Sequence, residues 1–170
     1  KIENIKARQV FDSRGNPTIE VDVFSKSNFS RASIPSGAST GKYESVELRD
    51  GGSVLMGKGV EKVVSIIESK LKDQLIGLDV FDQLKIDCKM CEIDGTPNKS
   101  LIGANSILPI SLAVSRLASS IKGLELYEYL SSYCSLPFSF TLPIPLMNIL
   151  NGGSHADNQV DIQEFMIAPI

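Results

Sequence analysis

An α+β fold is what this sequence predicts, and three observations carry the prediction. Near the start, Ile19, Val21 and Val23 alternate with Glu20 and Asp22, the period of a strand with one covered face. From Val60 onward the apolar residues recur at helical spacing instead. After a stretch broken by Pro137, Pro143 and Pro145, two short apolar runs at residues 146–150 and 165–170 begin something new.

The elements follow in order. Residues 2–11 and 29–34 flank the central alternation at distances that suit a three-stranded antiparallel meander. Its turns are marked by Arg14-Gly15-Asn16-Pro17 and Ser27-Asn28. Between Pro35 and Gly59 the composition shifts: Gly37, Gly41, Gly51, Gly52, Gly57 and Gly59 predict a long, mobile loop with little core of its own. Loops of that kind in compact domains are usually functional or disordered.

A helical bundle comes next. Val60, Val63, Val64, Ile67 and Leu71 form one apolar stripe, and residues 79–91 a second helix closed by the turn Asp94-Gly95-Thr96-Pro97. Residues 103–121 form a third, lined by Ile107, Ile110, Val114 and Leu117, in which Pro109 must lie early or kink the axis. Residues 124–133 make a fourth. These stripes read as core and are assigned no chemistry. The last two runs lack the alternation of a half-exposed strand and suit strands buried on both faces. The predicted division is therefore one domain over residues 1–135, then a linker and the start of a second over residues 136–170. From Pro143 the new unit has fewer than about thirty residues and is not expected to close on itself.

Composition narrows the function classes. An apolar share of 42% with 22% charged residues is that of a soluble globular protein. The net charge of −3 and the absence of any basic run argue against a nucleic-acid partner. The prolines in the longest apolar stretch rule it out as a membrane span. The first residues show no secretory pattern, and three cysteines, Cys88, Cys91 and Cys134, fit a reducing compartment; a cytoplasmic location is expected. Cys88 and Cys91 make a C-x-x-C inside a helical pattern, without a second such pair, and read as structural thiols rather than a metal or redox motif.

Two segments hold residues suited to chemistry. Ser36-Gly37-Ala38-Ser39-Thr40-Gly41-Lys42 looks at first like a phosphate-cradling loop. The glycines enclose only three residues, however, and Tyr43 follows the lysine, so the P-loop spacing fails and nucleotide binding is disfavoured with it. What remains is a loop of hydroxyls and free backbone, able to close over an anion or lend oxygens to a hard cation. Taken alone, an ordinary solvated loop is the favoured reading. The second segment is Asn151-Gly152-Gly153-Ser154-His155, with Gln163-Glu164 beyond it. Two glycines would let the backbone turn and hold the only histidine at a strand end, where α/β sheets bind ligands. Glu164 opens the next run, where a buried carboxylate could do acid–base work. His155 and Glu164 read equally well as a working pair and as ordinary polar residues. Asp157 and Asp161 read as solvated charges.

Taken together, the motifs resemble those of the enolases, most closely the bacterial type. The matching text is Asp12-Ser13-Arg14-Gly15-Asn16-Pro17-Thr18, Ser36-Gly37-Ala38-Ser39-Thr40-Gly41, Glu47-Leu48-Arg49-Asp50-Gly51, Gly57-Lys58-Gly59-Val60, Asn98-Lys99-Ser100 with Gly103-Ala104-Asn105, Asn151-Gly152-Gly153-Ser154-His155-Ala156 and Gln163-Glu164-Phe165-Met166-Ile167. These occur in order over nearly the whole chain. The resemblance implies an N-terminal capping domain followed by the first two strands of a truncated α/β (TIM-like) barrel with an atypical β-β-α-α start. It implies a lyase that dehydrates 2-phosphoglycerate to phosphoenolpyruvate with two Mg2+ ions. His155, Gln163 and Glu164 would meet substrate, Glu164 helping the hydroxyl leave. Gly37 and Ala38 would line the substrate side of the closing loop, and Ser39 would ligate the second magnesium. Arg8 and Glu20 would face the partner subunit of a homodimer or a higher oligomer. Pro109 departs from the glycine usual in the family.

The same resemblance places the lysine base, the proton-donating glutamate and the three carboxylates of the first magnesium site further along than residue 170. The expectation is an inactive N-terminal portion of the enzyme. The rival expectation is a non-catalytic capping or binding module, for which an apolar ending at residues 165–170 is ill suited.

Overall fold

The computed structural model describes residues 1–37, 41–133 and 140–169, with Ser154 described by its backbone alone. Two compact units divide the chain, Lys1–Ser135 and Leu136–Ile170.

In the first unit, β1 (Asn4–Phe11), β2 (Pro17–Ser25) and β3 (Asn28–Ser33) form a three-stranded antiparallel sheet in the order β1-β2-β3. The predicted meander is therefore present. Its first turn is built by Asp12, whose carboxylate accepts from the backbone N–H of Asn16 at 2.8 Å and of Arg14 at 2.9 Å. Those bonds, the one to Asn16 foremost, hold the Asp12 carboxyl below its usual range. Gly15 takes φ 74°, a left-handed conformation that costs glycine no steric strain.

The strand period sends Ile5, Ile19, Val21, Val23 and Ala32 into the core. The opposite face carries Arg8, Glu20, Asp22, Phe24, Phe29 and Arg31, placed there by the pairings Arg8↔Glu20, Asp22↔Arg31 and Phe24↔Phe29.

Helices cover the apolar face. The first is a single run of three segments: α1 (Glu61–Ile66), a π-helical turn (Ile67–Leu71) and α2 (Lys72–Leu75). Val63, Ile67, Leu71 and Leu75 are all fully buried and recur every fourth residue. A regular α-helix would rotate that row off the core, and the wider π turn brings it back. Asp50 caps the start, accepting from the N–H of Glu61 and of Lys62, each at 2.9 Å.

The other helices are α3 (Gln83–Asp94), α4 (Ala104–Lys122) and α5 (Leu126–Tyr133). The second begins four residues later than the sequence pattern suggests. Asp79 folds its own turn, accepting from the Phe81 N–H at 3.0 Å, and Asp82 then caps the helix. Pro109 lies inside α4, in its second turn, and the helix continues through it to Lys122. The predicted stripe residues Ile110, Val114 and Leu117 are fully buried against β2 and β3, and Ile107 is partly buried beside them. Among the described residues no single helix is long and apolar enough to cross a membrane.

Asp94 organises the connection into α4. Its carboxylate accepts from the N–H of Thr96 at 2.9 Å, Leu101 at 3.1 Å and Ile102 at 2.8 Å, and from the Thr96 hydroxyl. Burial pushes this carboxyl upward, but the hydrogen bonds from Thr96, Ile102 and Leu101 outweigh it and hold the group below its usual value of 3.8.

One sequence expectation needs correction. The runs predicted as strands buried on both faces are β4 (Met147–Asn151) and β5 (Glu164–Ile167), paired antiparallel, and every residue of both is exposed. Within Leu136–Ile170 there is too little chain to supply a covering layer. Of the thiols read as structural, Cys88 is exposed and Cys91 half-buried, and Cys134 lies outside the described residues.

Replacing Asp94 tests the hub. Asp94→Asn should cost about 1–3 kcal/mol at neutral pH, read by urea unfolding. A carboxyl lowered in the folded chain stabilises above its unfolded pKa, and that contribution is lost as pH falls through the folded one. The gap between the original chain and the variant should therefore narrow on acidification below 3.8.

Candidate functional site

In the second unit the chain turns sharply after β4. The N–H of Gly152 donates to the Gln163 carbonyl at 2.9 Å and that of Gly153 to the Val160 carbonyl at 2.7 Å. Gly152 is the close-packed point. A Cβ there would come within 2.4 Å of both the Ile162 and Val160 carbonyl oxygens, so no side chain fits. Gly153 takes φ 56° and starts a short 3-10 turn, Gly153–His155. Asn158 braces the loop from inside. Its side-chain amide donates to the Asn151 carbonyl at 2.9 Å, and its Oδ1 accepts from the Val160 N–H at 2.9 Å.

This fold of the loop lays His155 beside Gln163. The two are joined through Gln163 Nε2 and His155 Nε2. With the amide as donor, the ring nitrogen is the acceptor, which places the imidazole proton on Nδ1. Glu164 is the next residue and pairs with Asn151 across β4–β5. The structure thus brings His155, Gln163 and Glu164 to one end of one strand pair. Glu164 is exposed in it, not buried as the sequence reading has it, because this unit provides no layer over β5. Asp157 and Asp161 are exposed, in line with solvated charges.

Gly37 belongs to the first unit. It is exposed and borders a cavity of about 680 Å3 lined also by Arg14, Ser36, Glu47, Arg49 and Lys58. Ala38 and Ser39 lie outside the described residues. The roots of this loop are tied by Arg49. It donates to the Ser36 hydroxyl at 3.1 Å, to Glu47 at 2.8 Å, and to the carbonyls of Pro17 at 2.5 Å and Lys58 at 2.9 Å. Ser36 in turn donates to Glu47 at 3.0 Å. Sequence reasoning assigns Glu47 and Arg49 no role, and a half-buried loop motif offers no periodicity that would reveal one.

Arg8 and Glu20 stand on the open face of the sheet, 3.3 Å apart. They are half of a larger cluster. Arg8 also holds Asp22, and Arg31 reaches Asp22 at 2.6 Å and Glu20 at 3.5 Å. The hydrogen bond from Arg31, more than any other cause, holds the Asp22 carboxyl below its usual range, and Asp22 raises Arg31 in return. The strand alternation could have shown Asp22, which shares the parity of Glu20, while Arg31 joins the same face through its register opposite Asp22.

Among the described residues no group of three His, Cys, Asp or Glu side chains is arranged to hold a metal.

The profile described as "Enolase, N-terminal domain" matches residues 2–130. A second, described as "Enolase, C-terminal TIM barrel domain", matches residues 139–170, a small part of the ~250 residues a complete barrel takes.

Gly152→Ala tests the loop geometry. The added methyl has to displace backbone carbonyls, so the His155–Gln163 contact should break, read as a shift of the His155 ring resonances toward those of a free histidine. Unchanged resonances would show that the contact does not depend on this close approach.

Proposed function

The chain belongs to the enolase family, whose members are lyases, and from that premise we propose the specific reaction. It is the reversible dehydration of 2-phosphoglycerate to phosphoenolpyruvate, the phosphopyruvate hydratase step of glycolysis. The observation that carries this reading is the convergence of His155, Gln163 and Glu164 at one strand end, inside a match that runs along nearly the whole chain.

The proton next to the substrate carboxylate is very weakly acidic. Removing it leaves an enediolate that must be stabilised by preorganised charge and hydrogen-bond donors. In this reading His155 and Gln163 are donors to the substrate. With Gln163 on Nε2, the His155 Nδ1–H is left to meet an anionic oxygen. Glu164 assists the hydroxyl as it leaves, the proton itself coming from a glutamate that the resemblance places further along than residue 170. Gly37 and Ala38 are assigned to the substrate on family grounds alone. Mg2+ is proposed as the cofactor on family grounds, with Ser39 as this chain's ligand, and would supply positive charge to the developing enediolate.

In this reading the lysine base, the proton-donating glutamate and the main metal carboxylates are those the family resemblance places further along than residue 170. The isolated chain should give no phosphoenolpyruvate absorbance from 2-phosphoglycerate with magnesium present, and turnover would overturn that. In a chain extended through a complete barrel, Glu164→Gln should lower kcat by about 10²–10⁴-fold. An unaffected kcat would remove Glu164 from the chemistry.

A homodimer or higher homo-oligomer through the face bearing Arg8 and Glu20 belongs to the same proposal, as does a cytoplasmic location, which follows from the glycolytic substrate class. The charged cluster there is already satisfied within the chain, so a partner would dock on an ordered surface. Arg8→Ala in the extended protein should weaken self-association about tenfold or more by sedimentation equilibrium. Association of undiminished strength would exclude this face.

A further inference from the structure

Two thiols with no part in the proposed reaction stand together on α3. Cys88 is exposed, Cys91 is half-buried, and both are free. The inner face of the helix is filled by Ile86 and Met90, both fully buried, and neither thiol belongs to the buried core. Residues three apart on a helix have Cβ atoms about 5–6 Å from each other. A disulfide requires roughly 3.5–4.5 Å, so oxidation would have to distort the helix. A bridging ion has a different reach. Two metal–sulfur bonds of about 2.3 Å each hold sulfurs more than ~4 Å apart when the ion is two-coordinate, which the helical spacing accommodates.

The ligand count selects the ion. No third His, Cys, Asp or Glu joins the pair among the described residues, which leaves the four-coordinate demand of zinc unmet. Two thiolates alone suit a soft ion. Such a complex with a monovalent ion carries one net negative charge. Lys85 and Lys89 border Cys88 in a cavity of about 490 Å3 that Cys91 does not line. Asp73 and Glu92 also line it, but their hard oxygens are poor ligands for a soft ion.

We propose that Cys88 and Cys91 form a two-thiolate site for a soft monovalent cation of the copper(I) class. On binding, two S–H protons pass to solvent and two copper–sulfur bonds form, with no change in oxidation state.

The test titrates the 170-residue chain anaerobically with copper(I) in competition with the chromogenic chelator bicinchoninate. One equivalent should be withdrawn from the chelator. Cys88→Ser and Cys91→Ser should each weaken that binding by at least about tenfold, and Cys134→Ser should leave it unchanged. Circular dichroism checks that each variant keeps its helices. A second measurement uses the unsubstituted chain: copper(I) should protect Cys88 and Cys91 together from alkylation, read by peptide mass. Equal affinity in either single variant, loss of binding with Cys134→Ser, or protection of only one of the two thiols would overturn the proposal.

Discussion

One helix laid across one face of a three-stranded sheet decides where the rest of the first unit can go. α4 presents Ile110, Ala113, Val114 and Leu117 to Ile19, Val21, Val23 and Ala32, and all are almost completely shielded from water. Each fully buried Val, Leu or Ile among them contributes on the order of 1.5–3 kcal/mol, so the interface supplies a large share of the unit's stability. It also fixes the N-terminus of α4 in space. There Asn105 accepts from the Leu48 N–H at 3.0 Å and donates to the Leu48 carbonyl at 2.9 Å, while the Ala104 N–H donates to Val46 at 2.8 Å. Gly103 is the residue that lets the two segments approach. At φ 84°, a Cβ on it would meet Asn105 Oδ1 at 2.4 Å and Leu48 at 2.9 Å. The glycine-rich segment is thus anchored by the helix it never joins.

The same sheet explains why charge gathers on its other side. With one face committed to α4 and the π-containing helix, the alternation leaves Arg8, Glu20, Asp22 and Arg31 on the open face, interleaved by register. Two cations and two carboxylates so placed satisfy each other, and Arg116 reaches over from α4 to donate to the Arg31 carbonyl at 2.9 Å. An exposed charge pair is worth little by itself. Asp22, however, is almost fully buried within its cluster, and stripping Arg31 from it would leave a poorly solvated carboxylate.

What the sequence made legible is what repeats. Alternation at residues 19–23 and the stripes after Val60 give the elements and their buried faces, because burial imposes a period. Boundaries were less legible where a single polar side chain decides them, as Asp79 does before α3. The π turn has no composition signal beyond a spacing of four, which also fits an ordinary amphipathic helix. In the site, two glycines before a histidine correctly announced a tight turn, since Gly152 has no room for a side chain. The environment of Glu164 did not follow from its sequence. Burial is a property of what covers a strand, and an apolar run does not state whether its cover is present.

That distinction separates the two things a catalytic site needs. The geometry around His155 is local. Gly152, Gly153, Asn158 and Gln163 bond within one loop and one strand pair, and they hold the imidazole beside the Gln163 amide although nearly all of them are exposed. The medium is not local. A donor or carboxylate stabilises developing charge strongly only where water is excluded, and around exposed side chains water screens most of that effect. The strand pair therefore fixes positions, and with β4 and β5 exposed it supplies little of the field. Positions can be set by a few dozen residues in this way. Catalytic power also needs a surrounding that excludes water.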